Sequence, residues 1–330
     1  MTKLTRRSVL ATGAAGAAAT LMAGTAFAQD RKRLRLSSVV SNNDIRAKAF
    51  ARISEDVAKD FDLQVYNQST LVPQGGELTS IQRGTLEMGL VAPQKLADQV
   101  PEWSILTAAY VLRDAAHMKA VFDSDVGKQL NDLAAQAGLH VLAPVYFGAR
   151  QVNLKPEKKI NTPEDLKGMT LRMPGGDAWQ FLGEAIGASP TPLAYSEVYT
   201  ALQTGAIDGQ DNPLPNDYNM KFYEVTSQIA LTSHLVGFDV LGISKKVWDD
   251  MSADQQKLLK DSVDKEIAAS TEEHLKREQE LVDFFKEQGL EVYEPDRAAF
   301  RDYAQKKYLA SDFAKSWPEG MLEQINAIEA

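Results

Sequence analysis

Between Ser252 and Gly289 the chain contains no proline, and Ser252 with Gln255 fits a capping box that starts a helix. A single helix over that span, rising about 1.5 Å per residue, reaches on the order of 50 Å, more than the width of one small lobe. If it is unbroken it must lie across two bodies of structure. A break near Ala268–Ser270, giving two ordinary helices, is the alternative.

The opposite end of the chain sets the compartment. Lys3, Arg6 and Arg7 precede an apolar, small-residue run from Val9 to Ala23, and Ala26-Phe27-Ala28 follows with small residues flanking one large one. That pattern is a signal peptide with cleavage expected after Ala28; the apolar stretch is too short and too rich in Ala and Gly for a stable span. Thr5-Arg6-Arg7-Ser8-Val9-Leu10 resembles the twin-arginine export motif. A general secretion signal with two adjacent arginines is the other reading. Taking 28 of the 330 residues away leaves 302, long for one compact core and suited to two. Removing the leader's three cations also takes the formal net charge from −9 to −12, which disfavours nucleic acid and anionic membranes as partners. The chain has no cysteine, so thiol catalysis, thiolate metal sites, disulfides and a lipid anchor on cysteine are excluded. The mature protein is expected to be soluble.

From Leu34 onward short apolar or β-branched runs alternate with amphipathic stretches, which reads as α/β with a parallel sheet. Strands are expected at Leu34–Val40, Leu63–Tyr66, Leu86–Ala92, His140–Val145 and Met169–Met173. Helices are expected from Ile45 through Val57, at Glu77–Arg83, Ala115–Ala137 and Ala178–Ile186, and from Ser196 to Thr204 with Gly205 as its stop. Thr162-Pro163-Glu164-Asp165 has the cap, the first-turn proline and the acids of a strong helix start, and a second lobe is expected to begin near Lys155.

The search for chemistry mostly excludes. His117, His140, His234 and His274 show no metal-ligand spacing; His274 reads as a solvated helix residue and His140 as a core residue. Gly75-Gly76 lacks the lysine and flanking strand of a phosphate loop. Gly175-Gly176 joins a strand to a helix, and is either a close approach to a ligand or an ordinary tight turn. Arg150 and Arg172 carry more information, because each ends or interrupts an apolar strand and a buried cation demands a partner. Each fits either a structural salt bridge or a clamp that grips a carboxylate with its planar fork of donors.

The block from Gly187 through Tyr195-Ser196-Glu197 and Asp208-Gly209-Gln210-Asp211-Asn212-Pro213 resembles the hallmark segment of TRAP-type extracytoplasmic solute receptors, the DctP family. Tyr146-Phe147-Gly148-Ala149-Arg150-Gln151, Asp165-Leu166-Lys167-Gly168, Leu171–Pro174 and Lys221–Val225 resemble further family segments in the right order, so the likeness covers essentially the whole mature chain. The resemblance implies a two-lobed periplasmic α/β solute-binding fold with a hinge and a long helix spanning both lobes: 29–147 with 238–270 as lobe I, and 148–237 with 271–330 as lobe II. It implies no enzyme activity, no cofactor and no metal. It implies binding of a small organic anion, a carboxylate or a sulfonate, in the cleft and delivery to small and large membrane subunits of a transporter; presentation to a receptor kinase is the alternative. By matching positions it makes Arg172 the principal carboxylate anchor, Arg150 a second anionic contact, Asn212 an orienting hydrogen-bond partner and Tyr195 an aromatic wall, with core packing the other reading of Tyr195. Gln74, Asp177, Trp179, Phe147, Phe238 and Asp239 are candidate specificity positions.

One departure points to substrate. Where the similar sialic-acid-binding branch has polar and acidic pocket residues, this chain has Val39, Val40 and Ala92. Hydroxyls facing such walls would lose partners, so a smaller or less hydroxylated acid is expected.

Overall fold

A computed structural model describes residues 31–329; the signal peptide, the cleavage point after Ala28 and the twin-arginine motif lie outside the described residues. Among the described residues nine strands form one sheet: β1 (Lys32–Ser37), β2 (Phe61–Tyr66), β3 (Met88–Val91), β4 (Leu139–Leu154), β5 (Thr170–Met173), β6 (Ser189–Pro192), β7 (Gly209–Pro213), β8 (Gln228–Ser244) and β9 (Glu291–Tyr293). The order is β2-β1-β3-β8-β4-β7-β5-β6, with β9 added to β8.

The sheet is mixed, not the parallel sheet that the alternating pattern suggests. β1–β2, β1–β3, β5–β6, β5–β7 and β8–β9 are parallel, whereas β3–β8, β4–β8 and β4–β7 are antiparallel. The antiparallel part comes from two strands of 16 and 17 residues, β4 and β8, that run through the middle of the molecule. One end of β8 pairs β3 and its other end pairs β9, while the second half of β4 pairs β7. Both strands therefore belong to both halves. Their pairing slips at three bulges, and at Gly148↔Gly237 they approach so closely that a Cβ on Gly237 would stand 2.5 Å from the Gly148 carbonyl oxygen. Gly148 itself has φ +121°, a conformation that needs glycine.

The long helix, Ala253–Glu287, is continuous through 35 residues with the Ser252–Gln255 capping box formed, and no break occurs at Ala268–Ser270. Its first half buries Leu259, Val263 and Ile267 against Leu36, Phe50 and Leu241, and its second half buries Leu281 and Phe285 against Leu214 and Ile229. These are separate apolar clusters at the two ends of one rod, which is how the helix ties the halves together. Along the rod Ser262, Glu266, Ser270 and His274 recur every fourth residue and are all buried. His274 is thus no solvated residue. Its Nδ1 donates to the Ser270 carbonyl at 2.8 Å, its ring edge meets Tyr146 at 6.4 Å, and burial lowers its pKa to about 4, so it is neutral.

Two smaller expectations change for local reasons. Ser124 divides the expected Ala115–Ala137 helix into Ala115–Asp123 and Asp125–Gln136 by capping the second piece through Val126 N. The Thr162 start yields only one 3-10 turn, Pro163–Leu166, because the backbone turns left-handed at Gly168, φ +81°. His140 is half-buried and stacks on Trp248 at 4.2 Å.

Candidate ligand-binding site

A cavity of about 620 Å³ opens between the two halves of the sheet. One wall is built by β4, β5 and β7, which present Arg150, Arg172 and Asn212, together with Trp179 and Tyr195. The facing wall carries Val39, Gln74, Ala92 and Asp239, joined by Arg46 and Glu77.

The two arginines named from sequence share the cavity but not their chemistry. In β5, Leu171 and Met173 point into the core and alternation places Arg172 on the cavity side. Arg172 is 1% exposed; its Nε donates to the Leu193 carbonyl at 2.8 Å and its Nη2 has no partner. Burial lowers its pKa to about 10, the reverse of what a paired arginine shows. Arg150 holds a structural ion pair: its Nε and Nη2 donate to the two carboxylate oxygens of Asp211 at 2.6 and 2.9 Å, and its guanidinium lies 4.7 Å from the Trp179 ring centre. Burial alone would raise the Asp211 carboxyl, but Arg150 and the His234 Nε2, 3.2 Å away, hold it well below the ordinary carboxylate range. Of the two guanidiniums, the one with no carboxylate in contact is Arg172.

Asn212 is fixed by its neighbours. Its amide donates to Gln210 Oε1, and its Oδ1 accepts from Asn216 Nδ2 at 3.2 Å. Gln210 in turn donates to Asp217 at 2.8 Å, and complete burial pushes the Asp217 carboxyl well above its usual value.

Tyr195 serves both readings. It lines the cavity near Arg172, with 5.9 Å from guanidinium to ring centre, and packs edge-on against Phe222. Its backbone N donates to Gln74 Oε1 at 2.8 Å, a hydrogen bond that crosses the cleft. Phe147 lines the cavity beneath the Arg46 guanidinium at 4.2 Å, and Gly175 and Gly176 line it where the chain leaves β5. Two named residues lie elsewhere. Asp177 is exposed and borders a neighbouring depression with Asp98 and Asp312, and Phe238 is buried in the core edge-on to Phe122 at 5.6 Å. Of the three apolar substitutions, Val39 and Ala92 line the cavity and Val40 is packed in the core.

Arg46, Glu77 and Asn216 escape the sequence reading. Arg46 is 2% exposed and donates to Asp44 at 2.9 Å and to Asp239 at 3.1 Å. Its signal is a cation adjoining the apolar residues Ile45, Ala49 and Phe50 with a capping aspartate just before. Glu77 opens a short helix, a position where an acid ordinarily reads as solvated, yet it is 4% exposed.

The family model for bacterial extracellular solute-binding protein, family 7 (DctP), matches residues 36–315. The chain belongs to this family. Its members are solute-binding receptors and not enzymes, and they are periplasmic. The chain is 33% identical over 268 residues to the sialic acid-binding periplasmic protein SiaP of Vibrio cholerae, covering 81% of this chain and 83% of that protein. A TRAP periplasmic solute-binding protein of Roseobacter denitrificans, solved with bound 3-deoxy-D-manno-oct-2-ulosonic acid, superposes with a TM-score of 0.89 at 45% identity over 91% of this chain and all of that one. Another from Polaromonas, bound to D-erythronate, superposes with a TM-score of 0.83 at 26% identity over 91% of this chain and all of that one. Function is thus fixed at the level of the family: the receptor binds a small organic acid anion in the periplasm for TRAP-type uptake.

Proposed function

We propose that this receptor takes a hydroxylated sugar-acid monoanion of the ulosonic type and passes it to the small and large membrane subunits of its transporter. The observation that carries the reading is Arg172, a buried guanidinium with an unpartnered nitrogen on the wall of a 620 Å³ cavity. A buried cation with no carboxylate in contact is costly, and an arriving carboxylate supplies the missing acceptor. A sugar acid rather than the smaller, barer acid drawn from Val39, Val40 and Ala92 is favoured by the rest of the wall. Val40 faces the core, and Arg46, Glu77, Asp239, Asn212 and Asn216 offer hydroxyls the partners that the sequence reading thought absent. The ulosonic acid bound by the Roseobacter relative supports the same size and chemistry.

In this reading the lobes, 29–147 with 238–270 and 148–237 with 271–330, hinge where β4 and β8 pass from one half to the other at Gly148 and Gly237. The ligand's carboxylate pairs with Arg172 on lobe II, its tail engages lobe I, and closure excludes water and strengthens the ion pair. The Gln74–Tyr195 hydrogen bond is a contact of the closed form. Export of the folded precursor through the twin-arginine route, with cleavage after Ala28, follows from Arg6-Arg7 and the small-residue site.

A thermal-shift screen across ulosonic, uronic and aldonic acids, aromatic acids, sulfonates and C4-dicarboxylates tests the reading. A sugar acid at a hundredfold excess over its Kd should add about 2.7 kcal/mol and raise Tm by roughly 5 °C or more. Stabilisation by dicarboxylates alone would refute it. Saturating ligand should also shrink the radius of gyration; an unchanged radius and interlobe spin-label distance would refute the hinge.

A further inference from the structure

We infer that Glu77, with Asp239 beside it, is the specificity determinant that makes the site accept acids with an uncharged hydroxylated tail and refuse dicarboxylates. The inference rests on the sugar-acid reading and sharpens it. Both side chains line the cavity on the wall opposite Arg172, and both are nearly buried, 4% and 8% exposed.

No cation is left over on that wall. Arg46 is shared between Asp44 and Asp239, and the Lys95 ammonium is engaged by Asp98 at 2.9 Å. Glu77 itself is held only by backbone N–H groups, its own and that of Gly75. The charged groups facing it are Asp239 from β8 and Lys95 from the helix Pro93–Ala97. β3, which packs against its helix, has no ionisable side chain. On β4, Tyr146 is bonded to Glu278, Arg150 to Asp211, and His140 is stacked on Trp248. A second carboxylate arriving at this wall would meet like charge and no free donor cation, at a cost that a bare carboxylate cannot recover. A polyol meets an acceptor in Asp239 and, when Glu77 is protonated, a donor as well.

The arrangement also links binding to pH. Burial pushes Glu77 up to about 7, with Asp239 adding to the rise and Lys95 opposing it. A bound anion in the closed cleft raises it further, so the complex holds more protons than the free receptor and affinity falls as pH climbs above about 7.

The test is isothermal titration of 3-deoxy-D-manno-oct-2-ulosonic acid and of malate into wild type, Glu77→Gln and Asp239→Asn at about pH 6 and pH 8.5. Wild type should prefer the ulosonic acid by about a hundredfold or more, and should lose about tenfold or more of that affinity at the higher pH, with proton uptake visible as a buffer-dependent heat. Glu77→Gln should abolish the pH dependence, and at the higher pH, where Glu77 is ionised in wild type, each substitution should improve malate binding by about tenfold. If wild type binds the ulosonic acid but shows no pH dependence and no preference over malate, the inference fails and the sugar-acid reading stands. If both variants fold and keep the wild-type preference and pH profile, it fails likewise. If wild type binds malate and not the ulosonic acid, both readings fall.

Discussion

Arg172→Ala should weaken ligand binding by about 2 to 5 kcal/mol, roughly thirtyfold to several thousandfold, while leaving the ligand-free receptor at least as stable as wild type. Most arginines buried this deeply could not be removed so cheaply, because a carboxylate would be left behind without its partner. Arg172 donates only through its Nε, to the Leu193 carbonyl, and its terminal Nη2 is unsatisfied, so truncation removes a desolvated charge and orphans one carbonyl oxygen. The methionine variant, closer in volume, should show the same split. Arg172→Lys should rescue little, since one ammonium cannot serve the Leu193 carbonyl and grip a carboxylate in bidentate fashion. Titration calorimetry and urea unfolding of the same preparations check both halves. Binding within about threefold of wild type would remove Arg172 from the role of anchor.

Arg150→Ala should do the opposite and cost the fold about 3 to 5 kcal/mol, a large share of the 5 to 15 kcal/mol by which such proteins are stable. It strands Asp211, whose carboxylate has no exposure and keeps only the His234 contact. Replacing the pair together, Arg150→Met with Asp211→Asn, should restore most of the loss, and that recovery distinguishes a stranded charge from a void. The pair also has a pH signature. Because the folded Asp211 carboxyl lies below its ordinary value of 3.8, the unfolded chain binds the proton more readily. Its contribution is therefore complete above about pH 5 and is lost as pH falls through 4 and below. Urea midpoints measured between about pH 5 and pH 3 should fall more steeply for wild type than for the double variant. A mild, pH-independent effect of Arg150→Ala would mean that the ion pair is not what holds this region.

These two residues show where the sequence stops being legible. Both arginines stand out because they interrupt apolar strands, and the sequence leaves each divided between salt bridge and clamp. The deciding fact is a residue on another strand: Asp211 on β7 lies beside Arg150 through the β4–β7 register and is 61 positions away along the chain. The long helix is legible because its cap and its freedom from proline are local properties. Its buried polar stripe is not, since Ser262 and Glu266 are covered by the helix Ile45–Asp56 through Asp56 and Arg52, and His274 by Tyr146 of β4, and not by any apolar pattern of their own. The two long strands are themselves half-seen: only His140–Val145 reads as strand, because β4 and β8 are buried on both faces, lack alternation and contain the Gly148–Gly237 pair. The same limit hid Arg46 and Glu77, whose burial depends on the second wall of the cleft.

In the proposed function Arg172, buried with an unpartnered Nη2, receives the ligand's carboxylate. A cycle of two titrations on each of two proteins tests it: 3-deoxy-D-manno-oct-2-ulosonic acid and its methyl ester, into wild type and Arg172→Ala. Wild type should lose about a hundredfold in affinity on esterification and Arg172→Ala less than about threefold, since a neutral ester cannot form the charge-assisted pair that Arg172 offers. Equal discrimination between acid and ester by the two proteins would contradict the account.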